Sequence, residues 1–251
     1  MAATPQGRAA TTAHKLAQGR VAARVVADVL SVWQGLDPLR LADPGWSASI
    51  LAALARHRPE SAELAANYYD TFRRAEIPAA PPHRASAGTS DPWRARAVTS
   101  LRVTGTRVVA RLISGGMEPA LALDKAGPGV AAALARHVLA AGRSTLDAAM
   151  RADPVARGWL RITDADPCWW CAMLASRGAV YLSKASASAR GGTNDEYHDG
   201  CGCQPEPFFR IAVLPETSQR FAGLWETSTD GLSGKDARTA FRRAHAAARR
   251  V

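Results

Sequence analysis

The sequence predicts a mainly α-helical protein with a small α+β module of the Cys/His metal-binding type near its C-terminus. Apolar residues recur at steps of three and four through residues 1–76 and 93–157, which is the period of an amphipathic helix. Alanine is frequent in both segments, and it has the highest helix propensity. Residues 158–210 lose this period and hold all the cysteines. We therefore expect a helical body that carries a small module.

The N-terminal helical segment, residues 1–76, contains a long apolar stripe followed by a shorter amphipathic stretch. Asp37-Pro38 and Asp43-Pro44-Gly45 are predicted to break the chain between them. Pro59 is predicted to open a further helix, because a proline is accepted in the first helical turn. The first stripe consists of Leu16, Val25, Val29, Val32 and Trp33.

Residues 77–92 are rich in proline and predict a linker and a domain boundary. The helical middle segment, residues 93–157, is predicted to be interrupted at Gly115-Gly116, at Gly127-Pro128-Gly129 and at Gly142, since glycine and proline punctuate helices. Three further elements are expected in the module: a strand over residues 159–163, a helix from about Trp169 to Gly178, and a second strand over residues 180–182 before a small polar loop.

The most specific motif is the cysteine and histidine cluster. Cys168 and Cys171 form a C-x-x-C, and His198, Cys201 and Cys203 form an H-x-x-C-x-C. A tetrahedral zinc site needs four nitrogen or sulfur ligands, and this set offers five. The spacing therefore predicts a structural zinc ion and leaves open which four side chains bind it.

Two other states of these cysteines stay open. They could be reduced and packed as small hydrophobic residues. They could also form two disulfides, although residues 1–10 show no apolar segment of a secretory signal and a reducing cytosol favours metal over disulfide.

The charge balance is strongly basic. The chain has 32 Lys and Arg against 22 Asp and Glu, for a formal net charge of +10, which suits a surface that faces nucleic acid. An arginine-rich composition without function is the alternative explanation of this charge. The C-terminal segment, residues 211–251, is predicted to be polar and then helical and basic, as an arm that contacts nucleic acid or a peptide that docks on a partner protein; a disordered, solvated tail is the alternative. The predicted DNA-contacting residues are Arg238, Arg242, Arg243, Arg249 and Arg250. No apolar run approaches the length of about 18 residues that a membrane span requires.

The stretch around the cluster resembles a known family. The residues that carry the resemblance are Gly158-Trp159-Leu-Arg-Ile-Thr163, Asp166-Pro167-Cys168-Trp-Trp-Cys171, Tyr197-His198-Asp199-Gly-Cys201-Gly-Cys203, and upstream Val103-Thr-Gly105 and Arg136-His-Val-Leu139. This pattern is similar to the minor head proteins of tailed actinobacteriophages, related to the phage Mu F protein and often labelled capsid maturation proteases. The match covers roughly residues 98–210.

The resemblance implies a virion protein that is made in the host cytoplasm and lies inside the head near the portal. Its implied partners are the portal protein, the major capsid protein or scaffold, and packaged double-stranded DNA. Its implied role is structural, in head morphogenesis and in DNA packaging or ejection. A zinc-stabilised DNA-binding module is one alternative.

The protease label of the family defines the other alternative. A serine protease needs a base within hydrogen-bonding distance of the nucleophile. Ser176 and Ser183 lie near His198 in the sequence, but His198 is better explained as a metal ligand or a partner of one. His137 lies on a helical face and is predicted to be a packing residue.

Overall fold

A computed structural model of the chain describes residues 2–41, 45–88, 92–164, 166–178, 197–210 and 214–249. It confirms the mainly α-helical class and the small mixed module. The elements are α1 (Pro5–Gln34), α2 (Gly45–Glu76), α3 (Trp93–Ser100), a π-helical segment (Leu101–Thr106), α4 (Arg107–Ser114), α5 (Pro119–Ala152), β1 (Gly158–Ile162), α6 (Trp169–Ser176), β2 (Gln204–Phe208), α7 (Glu216–Thr229) and α8 (Gly234–Ala248). No described helix is both long enough and apolar enough to cross a membrane.

The body of the protein is a bundle in which α1, α2 and α5 all contact one another. Trp33, near the C-terminal end of α1, is fully buried in the bundle core, and its indole N–H donates to the carbonyl of Leu123 at 2.9 Å. The helical run from α3 through the π-helical segment to α4 packs on α5 beside it. Helices from residues 1–76 and from residues 93–157 thus share one core, and the division of the chain into five segments stays a prediction.

One residue of the predicted α1 stripe was wrong. Leu16 is 59% exposed, whereas Val25, Val29 and Trp33 are fully buried. The inward face of α1 continues toward the N-terminus at helical spacing through polar residues instead, because the facing side chains there form hydrogen bonds and ring contacts. These buried polar residues are Thr11, His14 and Gln18.

The predicted breaks at Pro59, at residues 127–129 and at Gly142 were also wrong, since α2 and α5 run through them without interruption. Packing along helices of 32 and 34 residues outweighs the roughly 3 kcal/mol cost of an interior proline. The glycine at position 142 marks close packing. A Cβ at Gly142 would lie 2.7 Å from the carbonyl oxygen of Ser61, so α2 and α5 approach there more closely than any side chain allows. The predicted stop at Gly115-Gly116 is confirmed, with Gly116 at φ +88°.

The small module is built on an antiparallel pair of strands. Gly158 of β1 pairs with Phe208 of β2, and Ile162 pairs with Gln204. The predicted strand at residues 159–163 and the predicted helix after Cys168 are confirmed. The second strand predicted at residues 180–182 and the loop after it lie outside the described residues.

Strand β2 was not predicted, because Pro205 and Pro207 are unfavourable in a strand. Both prolines fit into β2 because successive backbone N–H groups along a strand point to opposite edges. The backbone nitrogens of residues 204, 206 and 208 face β1, and those of the prolines face the opposite edge.

The module is held between the bundle and the C-terminal helices. Phe209, directly after β2, lies against Tyr69 and Phe72 of α2, with ring centroids 6.1 and 6.2 Å apart. On the other side, α7 and α8 pack against α6 through a buried cluster that includes Met173, Phe221 and Phe241. The predicted basic helix near the C-terminus is therefore present as α8.

Candidate metal centre

Two short segments bring the predicted donors together. Cys168 caps the N-terminus of α6, where its Sγ accepts from the backbone N–H of Cys171 at 3.4 Å. The first turn of α6 then places the Cys171 thiol on the same side. The returning segment enters β2 and carries His198, Cys201 and Cys203, with a turn at Gly200, where φ is +75°.

All five predicted donors meet in this cluster. The Nε2 of His198 lies 2.9 Å from the Sγ of Cys168 and 3.5 Å from that of Cys171, and the Sγ atoms of Cys171 and Cys201 are 3.5 Å apart. The donors form two groups of three that share Cys171, and in each group all ligand atoms lie within 4.8 Å of one another. One group adds Cys168 and His198, and the other adds Cys201 and Cys203. The cluster can therefore hold a metal ion.

The distances suit metal coordination better than covalent bonding. Ligands of a tetrahedral zinc ion at about 2.3 Å are separated from one another by about 3.8 Å, whereas disulfide sulfurs are about 2.05 Å apart. All four cysteines are free thiols in the structure. Cys171, Cys201 and Cys203 are buried, Cys168 is half-buried, and His198 lies at the exposed rim.

The thiols perturb one another strongly. The hydrogen bond with Cys171 and the neighbouring His198 lower the pKa of Cys168 to about 4, and the contact with Cys171 likewise lowers the pKa of Cys201. Conversely, the contact with Cys168 raises the pKa of Cys171. Contacts with thiolates raise the pKa of His198 to about 11. Adjacent thiols ionise as a coupled group, and a bound dication would let all of them be thiolates.

Two buried arginines and a tyrosine flank the cluster. Arg143 of α5 and Arg161 of β1 are 6% and 2% exposed, and their guanidinium carbons lie 3.8 and 4.2 Å from the centroid of the Tyr197 ring. Arg143 also donates to the carbonyls of Cys201 and Cys203, at 2.7 and 2.9 Å. Burial opposes the charge of Arg161, but Tyr197 and the thiols raise its pKa. Such buried positive charge requires negative charge nearby, which ionised sulfurs supply.

Asp164 completes the support of the loop. Its Oδ2 accepts from the N–H of Gly202 at 3.1 Å, and a Cβ at Gly202 would lie 2.6 Å from its Oδ1. The sequence pattern predicted no role for Asp164, Arg143, Arg161 or Tyr197. Their only sequence signal was their place in or beside the stretches that carry the family resemblance.

Of the residues considered as a protease nucleophile and base, Ser176 and His198 both have other partners. The hydroxyl of Ser176 donates to the carbonyl of Met173 at 2.7 Å, and Ser183 lies outside the described residues. Both ring nitrogens of His198 are engaged, Nε2 by the thiols and Nδ1 by the Asp199 carbonyl at 2.8 Å. His137, predicted to pack, is 5% exposed and its Nε2 lies 2.8 Å from the Oγ of Ser100.

The predicted DNA-contacting residues lie on or just after α8. Arg242, Arg243 and Arg249 are exposed and Arg238 is half-buried, while Arg250 lies outside the described residues. Arg249 forms an ion pair with Asp166, two residues before Cys168. The opposite face of α8 is buried through Ala237, Phe241 and His245, so the basic face points away from the module core.

A helical body carrying a Cys/His cluster of the metal-binding type is the class of protein that this fold and site define. The chain belongs to the VG15 protein family, whose sequence model matches residues 6–226. It is also similar to the gene 15 protein of Mycobacterium phage D29, with 27% identity over 201 residues that cover 68% of this chain and 69% of that protein. No solved structure matches the chain. These comparisons place the chain in a family of phage proteins.

Proposed function

We propose that this protein is a structural minor head protein of a tailed phage, of the Mu F-like kind, whose module is stabilised by zinc. The observation that carries the proposal is the convergence of five sulfur and nitrogen donors within a chain of a phage protein family. The proposed location is the head interior near the portal, after synthesis in the host cytoplasm. The proposed partners are the portal protein, the major capsid protein or scaffold, and packaged DNA.

Zinc is the metal that the donor set favours. Thiolate and imidazole ligands in a closed tetrahedral arrangement are typical of structural zinc. The ion would join α6 to the segment that enters β2, and so it would stabilise a module that has only a small core of its own.

We assign the four cysteines as the ligands and His198 as a partner of the Cys168 thiolate. Three of the cysteines are buried and His198 is exposed. A four-thiolate zinc site carries two net negative charges, which match the two buried guanidinium groups of Arg143 and Arg161.

Metal analysis by mass spectrometry of protein purified under reducing conditions tests this assignment. The wild type should contain about one zinc per chain, and the Cys171→Ser and Cys203→Ser variants should lose it. Ser176→Ala is the matched control, because Ser176 lies on α6 near the thiols without being a donor. His198→Ala should keep the metal. A His198→Ala protein without zinc beside a Cys203→Ser protein with zinc would instead establish a three-cysteine, one-histidine site, and metal-free wild type would contradict the zinc proposal.

The virion role is tested separately. Quantitative mass spectrometry of purified phage heads should find the protein at a few copies per particle. Absence of the protein from heads that contain portal and major capsid protein would contradict a minor head role, whatever the result of the metal analysis.

DNA contact by the exposed arginines of α8 is part of the same proposal. Binding to double-stranded DNA should ignore sequence and weaken steeply with salt, because phosphate contacts release counterions. Charge reversal at Arg242 or at Arg243 should weaken binding, whereas the same single reversal at Arg20, which is exposed on α1, serves as the control of equal charge change. Salt-independent binding would contradict phosphate contact.

A second candidate, a capsid maturation protease, is favoured by one contact. Ser100 Oγ and His137 Nε2 are 2.8 Å apart, and burial together with Arg136 lowers the pKa of His137 to about 4, so its ring is a neutral acceptor at neutral pH. A fluorophosphonate probe should label Ser100 only if this pair activates the hydroxyl. Unlabelled wild-type protein that also leaves scaffold and capsid protein intact would eliminate this candidate.

A further inference from the structure

An apolar groove of about 740 Å³ lies on the surface of the helical bundle. It runs between the turn after α1, the first turn of α2, and the helical run of α3, the π-helical segment and α4. Its apolar lining consists of Leu39, Leu41, Trp46, Val98, Leu101, Val109 and Ile113. We call this feature the α3–α4 groove.

The base of the groove is rigid and its rim is exposed. Leu41, Leu101 and Val109 belong to the main hydrophobic core. The ring of Trp46 is fixed by a hydrogen bond to the carbonyl of Leu41 at 3.3 Å and by an edge contact with Trp33.

Two large apolar side chains at the rim face solvent. Leu39 is 72% exposed and Val98 is 45% exposed. The turn that presents Leu39 is ordered, since the carboxylate of Asp37 accepts from its backbone N–H at 2.9 Å. Apolar side chains held in this way beside a preformed groove are typical of an interaction surface.

The groove is bordered by positive charge. Arg102 and Arg107 line it and are both exposed. The sequence from Pro92 to Met117 contains five arginines and no acidic residue. This helical run is therefore positively charged, which favours a partner that carries negative charge beside its apolar contacts.

We propose that the α3–α4 groove binds an acidic amphipathic helix of a partner protein. Such a helix inserts apolar side chains spaced three and four residues apart, and its acidic flanks meet the two arginines. Two other occupants fit less well. DNA phosphates would contact the arginines but leave Leu39, Trp46 and Val98 exposed, and a second copy of the chain across a twofold axis would bring the same arginines together.

Binding to full-length protein is measured by fluorescence anisotropy with a labelled synthetic helix of about 15 residues, which carries leucines at the helical spacing and glutamates elsewhere. Its matched controls are the same peptide with lysines in place of glutamates and a scrambled acidic peptide. The acidic amphipathic helix should bind at least about tenfold more tightly than either control. Equal affinity for all three peptides would overturn the proposal, as would a dissociation constant above about 1 mM for the acidic amphipathic helix.

Substitutions locate the site. Val98→Asp should weaken binding by about tenfold or more, whereas Val103→Asp should change it less than about twofold. Val103 is 47% exposed on the same helical run but does not line the groove. Arg102→Glu and Arg111→Glu are the corresponding test and control for charge, since only Arg102 lines the groove. Arg102→Glu should weaken binding more than Arg111→Glu. All four positions are exposed, so thermal midpoints should be unchanged.

Competition distinguishes the occupants. Equal effects of Val98→Asp and Val103→Asp would overturn the proposal, as would displacement of the peptide by short double-stranded DNA at stoichiometric concentration. Dimerisation in ultracentrifugation that is abolished by Val98→Asp would assign the groove to a second copy instead. These outcomes do not depend on metal content or on presence in the virion.

Discussion

Arg143 lies over the ring of Tyr197, with its guanidinium carbon 3.8 Å from the ring centroid. Because Arg143 belongs to the long helix α5 and Tyr197 immediately precedes His198, this contact joins the helical body to the donor segment. The same guanidinium donates to two cysteine carbonyls. The position of the donors therefore depends on a side chain of the bundle.

Replacing Arg143 with methionine should release the donor segment. The substitution preserves much of the apolar volume but leaves the carbonyls of Cys201 and Cys203 without their donor, at a cost of about 2–4 kcal/mol in unfolding free energy. Urea unfolding under reducing conditions measures this cost. Arg143→Lys should recover part of the loss, and a methionine variant as stable as wild type would contradict this anchoring role.

The substitution Gly142→Ala should destabilise the bundle by about 2 kcal/mol or more, because the new methyl group would lie 2.7 Å from the Ser61 carbonyl oxygen. Gly129→Ala is the control on the same helix, where a Cβ meets nothing within 4 Å. That change should stabilise by about 0.5–1 kcal/mol through helix propensity. Chemical unfolding of both variants measures the contrast, and equal effects would show that the close approach of α2 and α5 carries little energy.

Breaking the buried ion pair of Arg73 and Asp153 should be strongly destabilising. The Nε and Oδ2 atoms are 2.5 Å apart, and the two side chains are 6% and 0% exposed. Burial alone would raise the pKa of Asp153, but hydrogen bonds from Arg73, Val155 N–H and Tyr69 lower it. Asp153→Asn should cost about 3–5 kcal/mol at neutral pH, since it leaves a buried guanidinium uncompensated.

The cost of Asp153→Asn should depend on pH, because the pKa of Asp153 is lowered in the folded protein. A lowered carboxyl pKa stabilises the fold above the usual value of 3.8, and this stabilisation is lost as pH falls through the folded pKa. The difference in unfolding free energy between wild type and Asp153→Asn should therefore shrink below about pH 4. A difference that stays constant from pH 7 to pH 3 would contradict ionisation of Asp153 in the fold.

Buried His14 should make the fold sensitive to mild acid. Burial lowers its pKa from 6.5 to about 4, so the unfolded chain binds a proton at a pH where the folded protein does not. Stability from this residue is complete above pH 6.5 and should fall by about 3 kcal/mol as pH drops to 4. His14→Phe retains the ring packing against Tyr68 and removes the titration. Unfolding of both proteins at pH 7 and at pH 4.5 measures the difference, and identical slopes with pH would contradict it.

The donor cluster was predictable because its information is local. Metal ligands from two short segments keep a recognisable spacing, so the sequence alone indicated the five candidate donors from Cys168 to Cys203 that the structure brings together. The supporting residues were not. Arg143 and Arg161 look like ordinary solvent-facing charges in a helix and a strand, and their burial depends on contacts between distant segments.

The incorrect predictions for the helical bundle have a related cause. Gly142 and Pro59 are local signals of helix interruption, but tertiary packing decided both positions. Leu16 was predicted to be buried because it is apolar. The buried face at that end of α1 is instead formed by polar residues with partners, such as Thr11, which hydrogen-bonds to Glu206 of β2 at 2.5 Å. Burial at this end of the helix is a property of the partner side chains.

The two prolines of β2 restrict what else can attach to the small sheet. An added strand on that edge would need N–H donors from residues 205 and 207, and neither has one. The edge offers only carbonyl acceptors, so it is a poor template for strand addition or for fibril growth. Residues 204–207 are buried as well, so burial and the missing donors together oppose pairing with a strand of another chain where the local protein concentration is high.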